Sequence, residues 1–187
     1  MRIETGAERP FSVHDLDGSP EDGRRYELID GDLLVSAAPG WPHQAAVVEL
    51  ASQLHIACTP EFRVLPAPFA VRPDPFTELR PDILVARHDD LTLRNLPVAP
   101  ELAIEVVSSS SRLKDTTLKK AVYAKLGTRF FWLVDPDLEE PGIAAWELVG
   151  GSGYQRIARV RDDEVFEVQR PFPVKLTAAD LVAGLRP

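Results

Sequence analysis

Residues 100–120, PELAIEVVSSSSRLKDTTLKK, begin with two glutamates in an apolar run and end with two adjacent lysines. Within them, ELAIEVVS (101–108) indicates a strand, because branched apolar residues dominate the segment and its length is typical of a buried strand. Glu105 is flanked by isoleucine and valine, and an ionised carboxylate in such surroundings is costly unless it is paired or binds a metal. We therefore expect a buried strand whose Glu105 has a compensating partner, whereas Glu101 lies at the exposed entry of the strand.

The segment SRLKDTTLKKAVYAKLG (111–127) predicts a helix that supplies this partner. Residues at helical spacing form an apolar stripe, which consists of Leu118, Ala121, Val122 and Leu126. Gly127 fits the left-handed position that ends a helix. Lys119 lies on the flank of the stripe, whereas Lys120 projects nearly opposite to it, so Lys119 is the lysine expected to face Glu105.

The N-terminal half of the chain predicts a hairpin and a helix. YELIDGDLLVS (26–36) indicates two short strands, because its Asp-Gly pair supplies the positive φ angles of a tight turn. QAAVVELASQLHIA (44–57) has apolar residues at helical spacing, and Pro42 suits the first turn of that helix. His43 is therefore expected at the start of the helix.

The remaining segments predict a sheet and a C-terminal meander. Further strands are predicted at residues 61–71, 78–86 and 128–136, and the first two are expected to form the centre of the sheet with 101–108. The C-terminal part indicates a β-meander, with strands at 142–150, 153–160 and 164–168. A short helix is predicted at 177–185.

The composition is that of an ordinary soluble globular protein, with 187 residues, 44% hydrophobic and 27% charged. The predicted class is α/β, an α+β mixed sheet, in a single domain over residues 1–187 with its core at about 12–185. Cys58 is the one cysteine and permits no internal disulfide, and the first ten residues lack the features of a secretory signal, so a cytoplasmic location is expected. No apolar run approaches the roughly 18 residues of a membrane helix, so no membrane partner is expected.

The distribution of charge leaves nucleic-acid binding open. The net charge of −8 argues against it, because phosphate binding depends on lysine and arginine. Residues 112–129, however, hold six basic side chains against Asp115 alone. The alternative interpretation of this basic run is a solvated helix face.

Asp82, Glu105 and Lys119 together predict a site for a hard divalent cation. Asp82 stands directly before an apolar run, and Mg²⁺, or Mn²⁺ in its place, prefers one or two protein carboxylates with water and phosphate as its other ligands. Such a site suits phosphodiester hydrolysis, since the metal activates a water and the lysine orients that water or stabilises developing negative charge. The sequence offers no metal-spaced Cys/His set, no Gly-rich phosphate loop and no serine elbow.

The order of these segments resembles the Uma-two family of the PD-(D/E)XK nuclease superfamily, which shares the restriction-endonuclease-like fold. The segments that carry the resemblance are YELIDGDL (26–33), a helix opening with His43, RPDILV (80–85), ELAIEVVS (101–108), DTTLKKAVYAKLG (115–127) and FFWLVDP (130–136). The likeness runs from about residue 12 to residue 185. It implies a restriction-endonuclease-like core, a Mg²⁺-dependent endonuclease acting on DNA, and a homodimer that can cut both strands.

One position departs from the superfamily pattern, which has a lysine two residues after the glutamate where this chain has Val107. In the Uma-two pattern the lysine lies in the following helix, four residues after an aspartate and four before a tyrosine. Asp115, Lys119 and Tyr123 match that spacing. The resemblance therefore selects the same lysine as the helical periodicity does.

The resemblance also implies a role for each site residue. The predicted metal ligands are Asp82, Glu105 and Glu27. The predicted catalytic residues are these three with Lys119 and the auxiliary His43, although a histidine at a helix start is more often a packed polar group. Asp115 and Tyr123 are expected to support Lys119. Candidate phosphate contacts are Arg112, Lys114 and Lys120.

Three hypotheses follow from the sequence. The first is an endonuclease that hydrolyses DNA with a Mg²⁺-activated water. The second is a nuclease-fold module that binds nucleic acid or a protein partner without cutting, which the acidic net charge favours. In the third, Glu105 and Lys119 form a buried ion pair and Asp82 caps a turn, so the charges serve folding alone.

Overall fold

The computed structural model of the protein describes residues 2–4, 10–107, 115–150 and 153–185. Its helices are α1 (Val13–Leu16), α2 (Trp41–Ala57) and α3 (Lys120–Leu126). Its strands are β1 (Arg2–Glu4), β2 (Arg25–Ile29), β3 (Asp32–Ser36), β4 (Phe62–Pro66), β5 (Ala70–Asp74), β6 (Thr77–Leu79), β7 (Ile83–Arg87), β8 (Asn95–Leu96), β9 (Leu102–Val106), β10 (Phe130–Asp135), β11 (Gly142–Leu148), β12 (Tyr154–Arg161), β13 (Val165–Val168) and β14 (Val174–Thr177). Short 3₁₀ turns cover His88–Asp90 and Ala179–Val182, and a wide π-type turn over Asp115–Lys119 leads into α3.

The central sheet has the strand order β12-β11-β10-β9-β7-β4 within the described residues. β9 and β10 are parallel and α3 lies in the crossover between them, while the other neighbouring strands are antiparallel. Every residue of β9 is buried, because packed layers cover both faces of the sheet at this strand. Glu105 is thus carried into the interior by its neighbours in β9.

Alternate residues of the central strands contribute to two cores, one on each face of the sheet. The first core lies between the sheet, α2 and the β13–β14 hairpin, and it includes Leu50, Ile104, Trp132 and Phe166. The second core lies under α3, and it includes Ala103, Val122, Tyr123 and Phe131. Glu105 is two residues from Ala103 and therefore projects from the face that α3 covers.

A second sheet packs on the α3 side of the central sheet. Within the described residues its order is β1-β3-β2-β6-β5-β8. The predicted hairpin is confirmed as β2 and β3, and Asp30 and Gly31 have φ angles of 50° and 87°, as a tight hairpin turn requires. The second core also contains Ile29, Leu34, Val71 and Leu79 of this sheet. β2 is thereby held beside the strand that carries Glu105.

The predicted N-terminal helix is confirmed as α2, with Pro42 in its first turn and His43 buried. Its buried side packs on the face of the central sheet opposite to α3. None of the described helices is both long and apolar enough to cross a membrane.

Two predicted strands are each divided in the structure. Residues 61–71 form β4 and β5, and residues 78–86 form β6 and β7, with the two members of each pair in different sheets. Pro68 and Pro81 lie in the interruptions, and a proline has no N–H to continue a ladder. The prediction of one continuous strand at each place was wrong, and Asp82 lies where the chain passes from one sheet to the other.

The C-terminal predictions are confirmed in part. β10, β11 and β12 form consecutive antiparallel pairs, as a meander does. The third predicted strand instead pairs, as β13, with β14, which the sequence did not predict, and the final helix is only the 3₁₀ turn Ala179–Val182.

The helix between β9 and β10 ends as predicted, because Gly127 has a φ of 87° and its N–H caps the last turn. Its predicted start at residues 111–114 lies outside the described residues. The predicted apolar stripe is wrong at Ala121, which is exposed. The buried side instead includes Lys119, Val122 and Tyr123, which share the i, i+3, i+4 spacing of one helix face.

Candidate active site

Lys119 lies between two buried glutamates from different sheets. Its Nζ is 3.1 Å from both carboxylate oxygens of Glu105 on β9 and 2.9 Å from Oε2 of Glu27 on β2. All three side chains are less than 5% exposed. The ammonium group therefore joins α3, the central sheet and the N-terminal sheet at one point.

Tyr123 and the backbone at Arg80 donate further hydrogen bonds to these glutamates. The hydroxyl of Tyr123, one helical turn after Lys119, donates to Oε1 of Glu105 at 3.0 Å. Burial raises the pKa of Tyr123 well above its ordinary value, so this hydroxyl stays a donor. Oε1 of Glu27 accepts the N–H of Arg80 at 2.8 Å. The predicted spacing of Lys119 and Tyr123 thus brings both groups onto Glu105.

Asp82 is bound by three donors at the end of the neighbouring strand. Its Oδ1 accepts a hydrogen bond from Nη2 of Arg25 at 2.7 Å. Its Oδ2 accepts the N–H of Val106 at 2.8 Å and lies 3.1 Å from Nε2 of His43. Because Val106 follows Glu105 directly, its N–H links the two acidic residues through the backbone of β9.

The two acidic residues differ in their protonation. Burial alone would raise the pKa of Asp82, but the hydrogen bond with His43 and the charge of Arg25 outweigh it and hold that pKa well below its usual range. Burial raises the pKa of Glu105 to about 8, against the opposing charge of Lys119 and with added repulsion from Asp82 and Glu27. At neutral pH Asp82 is therefore ionised, whereas Glu105 is the acid of the pair that takes up a proton more readily.

The ammonium group of Lys119 stays charged. Burial by itself would lower its pKa, but the attraction of Glu105 and Glu27 is larger and raises it. Lys119 is therefore a fixed cation at neutral pH and does not accept a proton.

The donor set fits a hard divalent cation in its chemistry. Within the described residues, three carboxylates (Glu27, Asp82 and Glu105) face two permanent cations, Arg25 and Lys119. When all three acids are ionised, the cluster carries an excess negative charge, which explains why Glu105 takes up a proton. Carboxylate oxygens are also the ligands that Mg²⁺ prefers. As the side chains lie, however, no group of three His, Cys, Asp or Glu residues in the described part of the chain has the spacing of a metal site.

The structure brings together Glu27, His43, Asp82, Glu105, Lys119 and Tyr123 of the predicted residues. Arg112 and Lys114 lie outside the described residues, as does the side chain of Asp115. Nζ of Lys120 lies 3.9 Å from the ring centroid of Trp146, and Glu101 forms an ion pair with Arg129 at the rim of the strand.

Arg25 is the site residue that the sequence interpretation missed. Its guanidinium is 19% exposed and also donates to the backbone oxygen of Arg80 at 3.3 Å. A signal was present, because Arg25 directly precedes the predicted strand 26–36, and a strand that begins one residue earlier, as β2 does, projects Arg25 and Glu27 from the same face.

Comparisons with known proteins agree with this fold. The family model Uma2, described as "Putative restriction endonuclease", matches residues 12–181. Among solved structures, a putative nuclease of the DUF820 family from Anabaena variabilis is similar over 94% of this chain and 99% of its own, with a TM-score of 0.72 and 21% identity. At that identity the likeness shows the fold alone, and it confirms the predicted mixed α/β class. No curated protein matches the sequence.

Proposed function

Because this chain belongs to the Uma2 family of putative restriction endonucleases, we propose that it hydrolyses phosphodiester bonds of DNA with the help of Mg²⁺ or Mn²⁺. The observation that carries the proposal is the buried cluster in which Asp82 and Glu105 meet Lys119. A carboxyl whose pKa is raised by burial and by neighbouring acids indicates a site that a bound cation would stabilise.

Asp82 and Glu105 would hold the cation, with Glu27 as a further carboxylate. When bound, the metal supplies a Lewis acid that makes a water acidic and neutralises charge on the phosphate. Glu27 is bound by Lys119 and the N–H of Arg80, so its first task is to hold Lys119 in place. Asp82 and Glu105 are therefore the ligands that the proposal depends on.

Lys119 would stabilise negative charge on the phosphate in the transition state. Its raised pKa keeps it protonated, which excludes it as a general base and suits it to electrostatic stabilisation. Its two glutamate partners fix the position of the ammonium group, so little reorganisation is needed during the reaction.

Arg25, His43 and Tyr123 would act as positioning residues. Arg25 and His43 bind the two oxygens of Asp82, and Tyr123 binds Oε1 of Glu105. Such partners orient metal ligands and tune their basicity, and their loss typically costs about 10-fold to 100-fold in affinity or activity.

The proposal is tested by DNA cleavage with the variant Glu105→Gln. Glutamine has nearly the size and shape of glutamate but no negative charge, so the variant should fold but lose metal-dependent cleavage by at least about 100-fold. Nicking of supercoiled plasmid in Mg²⁺ and in Mn²⁺ measures the loss. Glu167→Gln makes the same chemical change on an exposed position of β13, on the opposite face of the sheet, and should cleave like the parent protein. Full activity of Glu105→Gln would reject the assignment.

A second candidate function is a nuclease-fold module that binds nucleic acid or a protein partner without cutting. It is favoured by the fact that both oxygens of Glu105 already have protein partners, so the cluster is satisfied without a metal. Calorimetric titration with Mn²⁺ separates the two candidates. A site that Glu105→Gln removes supports the nuclease, and the lack of any such site supports the binding module.

We also propose a homodimer, as the family resemblance implies for an enzyme that cuts both strands. α2 carries Trp41, Val48 and Ile56 on the surface at 63%, 65% and 84% exposure, an apolar face available to a second copy. Light scattering coupled to gel filtration should give twice the monomer mass, and the monomer mass at all concentrations would contradict the homodimer.

A further inference from the structure

A cavity of about 530 Å³ lies beside the site, on the same face of the central sheet. Val107, two residues after Glu105, lines it, and so does Leu133, which pairs with Glu105 across β9 and β10. The next residues along the floor are the small Ala144 and Gly142 of β11. Small side chains leave the floor open from the site to the edge strand β12.

Three arginines of β12 face this cavity, and a β-bulge places one of them, Arg156, there. Arg159 pairs with Ala144 and Arg161 with Gly142, so both side chains project from the face of Glu105. The register then shifts, because Ala158 pairs with Ala145 but Arg156 pairs with Trp146. Without this shift Ile157 would face the cavity, and with it Arg156 does.

Positive charge is concentrated at one end of the cavity. Nζ of Lys120 lies 3.9 Å from the ring centroid of Trp146, whose cross-strand partner is Arg156. Burial lowers the pKa of Lys120, and the charge of Arg156 lowers it further, so the two cations are close. Neither Arg156 nor Arg159 forms an ion pair with an acidic side chain in the described part of the chain.

The other end of the cavity is acidic, and part of its negative charge is neutralised by an arginine. Its lining includes Asp135, Asp137, Glu139 and Glu140. Arg161 donates to Glu140 at 2.8 Å and is therefore neutralised. The unpaired cations are confined to the end formed by Lys120, Arg156 and Arg159.

We propose that Lys120, Arg156 and Arg159 bind the phosphates of the nucleic-acid strand on one side of the cleaved bond. The inference rests on the proposed function and adds to it a surface that binds the substrate strand beyond the site of cleavage. Glu105 and Arg159 are three strands apart, roughly 14 Å at about 4.8 Å for each spacing. That distance corresponds to about four nucleotides of B-DNA. A polyanion supplies the negative charge that the described residues do not offer to Arg156 and Arg159.

The test is the affinity of the double variant Arg156→Ala/Arg159→Ala for a short fluorescein-labelled DNA duplex and for its single strand. Fluorescence anisotropy in EDTA over a series of NaCl concentrations measures binding when no cleavage can occur. Losing two phosphate contacts should weaken binding and reduce the slope of log K against log salt by about 1.8 for the duplex. Arg156→Lys/Arg159→Lys keeps both charges and should retain most of the affinity.

The matched control is Arg63→Ala/Arg87→Ala, which removes two exposed arginines at the opposite edge of the same sheet. It should change neither affinity nor salt slope. The inference is overturned if Arg156→Ala/Arg159→Ala binds like the parent protein or like this control, or if the parent protein binds no DNA. If the parent protein cleaves DNA but the double variant binds DNA with unchanged affinity, this surface is rejected but not the nuclease. If the double variant loses binding as predicted but the parent protein does not cleave DNA, the nuclease is rejected but not this surface.

Discussion

Glu105 receives hydrogen bonds from Lys119 and Tyr123 in surroundings that leave it 4% exposed. Burial raises its pKa to about 8, so this carboxyl takes up a proton far more readily than an ordinary glutamate. A divalent cation on this carboxylate would have to displace that proton. The same side chain therefore links both the stability of the fold and the binding of a metal to pH.

The stability of the protein should fall as pH rises through the titration of Glu105. The folded pKa of about 8 lies above the ordinary value of 4.5, so between these values the folded state binds more protons than the unfolded state. The contribution of Glu105 is complete below about pH 4.5 and is lost as pH rises through about 8, with a slope on the order of 1.4 kcal/mol per pH unit. Urea unfolding of the parent protein and Glu105→Gln, in EDTA, measures the difference. A parent curve parallel to that of Glu105→Gln between these pH values would contradict the raised pKa.

Metal binding should have the opposite dependence on pH. Because a metal ligand must be deprotonated, the affinity for Mn²⁺ should increase from about pH 6 to about pH 9, and binding should release a proton below about pH 8. Calorimetry in two buffers with different heats of ionisation detects the proton. An affinity independent of pH would exclude Glu105 from the metal site.

At the scale of elements, α3 is the part of the fold that brings cations to the site. With the turn before it, α3 lies between β9 and β10 and presents Lys119 and Tyr123 to Glu105. Its seven residues are followed by Gly127, whose N–H bonds to the carbonyl of Ala124. Lys119 and Gly127 therefore flank α3 at its two ends.

Gly127→Ala should destabilise the protein by roughly 1–2 kcal/mol, because an alanine in the left-handed region brings its Cβ close to the following carbonyl. Beyond its immediate chain neighbours and its own helix, no atom lies within 4 Å of the added Cβ, so the cost comes from local backbone strain and not from a clash with packed residues. Thermal unfolding measures it. Gly150→Ala is the matched control, since Gly150 also has open space around its Cβ but no positive φ, and should change stability less than Gly127→Ala. Equal effects of the two substitutions would contradict a left-handed cap at Gly127.

Some elements were predictable from local sequence and others were not. The Asp30-Gly31 turn needs two residues with a positive φ and the Gly127 cap needs one, and both predictions are confirmed. The division of 61–71 and 78–86 was missed, because their apolar content is that of a strand and only the prolines mark the passage between sheets. Ala121 was placed on the wrong side because the stripe was built from apolar residues alone, whereas the buried face includes Tyr123 and the charged Lys119.

At the scale of the whole molecule, the site is built from both sheets and two helices. Glu27 comes from β2, Glu105 from β9, His43 from α2 and Lys119 from the turn before α3. The sequence could indicate Glu105 and Lys119, because a charge in an apolar strand requires a partner nearby along the chain. It could not indicate that Arg25 binds Asp82, since that contact spans 57 positions and depends on how the two sheets pack.

The net charge of −8 is compatible with a nucleic-acid substrate if positive charge is concentrated beside the site. Lys119, Lys120, Arg156 and Arg159 all lie on the α3 face of the central sheet or at its edge. The acidic side chains elsewhere do not prevent binding there, since charges more than about 10 Å away are largely screened at 0.1 M salt.

The central claim, that Asp82 and Glu105 hold one divalent cation, is tested most directly by a crystal structure of the protein soaked in Mn²⁺. We expect an anomalous peak of Mn²⁺ bound by both carboxylates, and we expect this peak to be lost in Glu105→Gln. A peak bound by other residues would contradict it. So would a structure in saturating Mn²⁺ in which Asp82 and Glu105 contact no metal and keep their side-chain partners Arg25, His43, Lys119 and Tyr123.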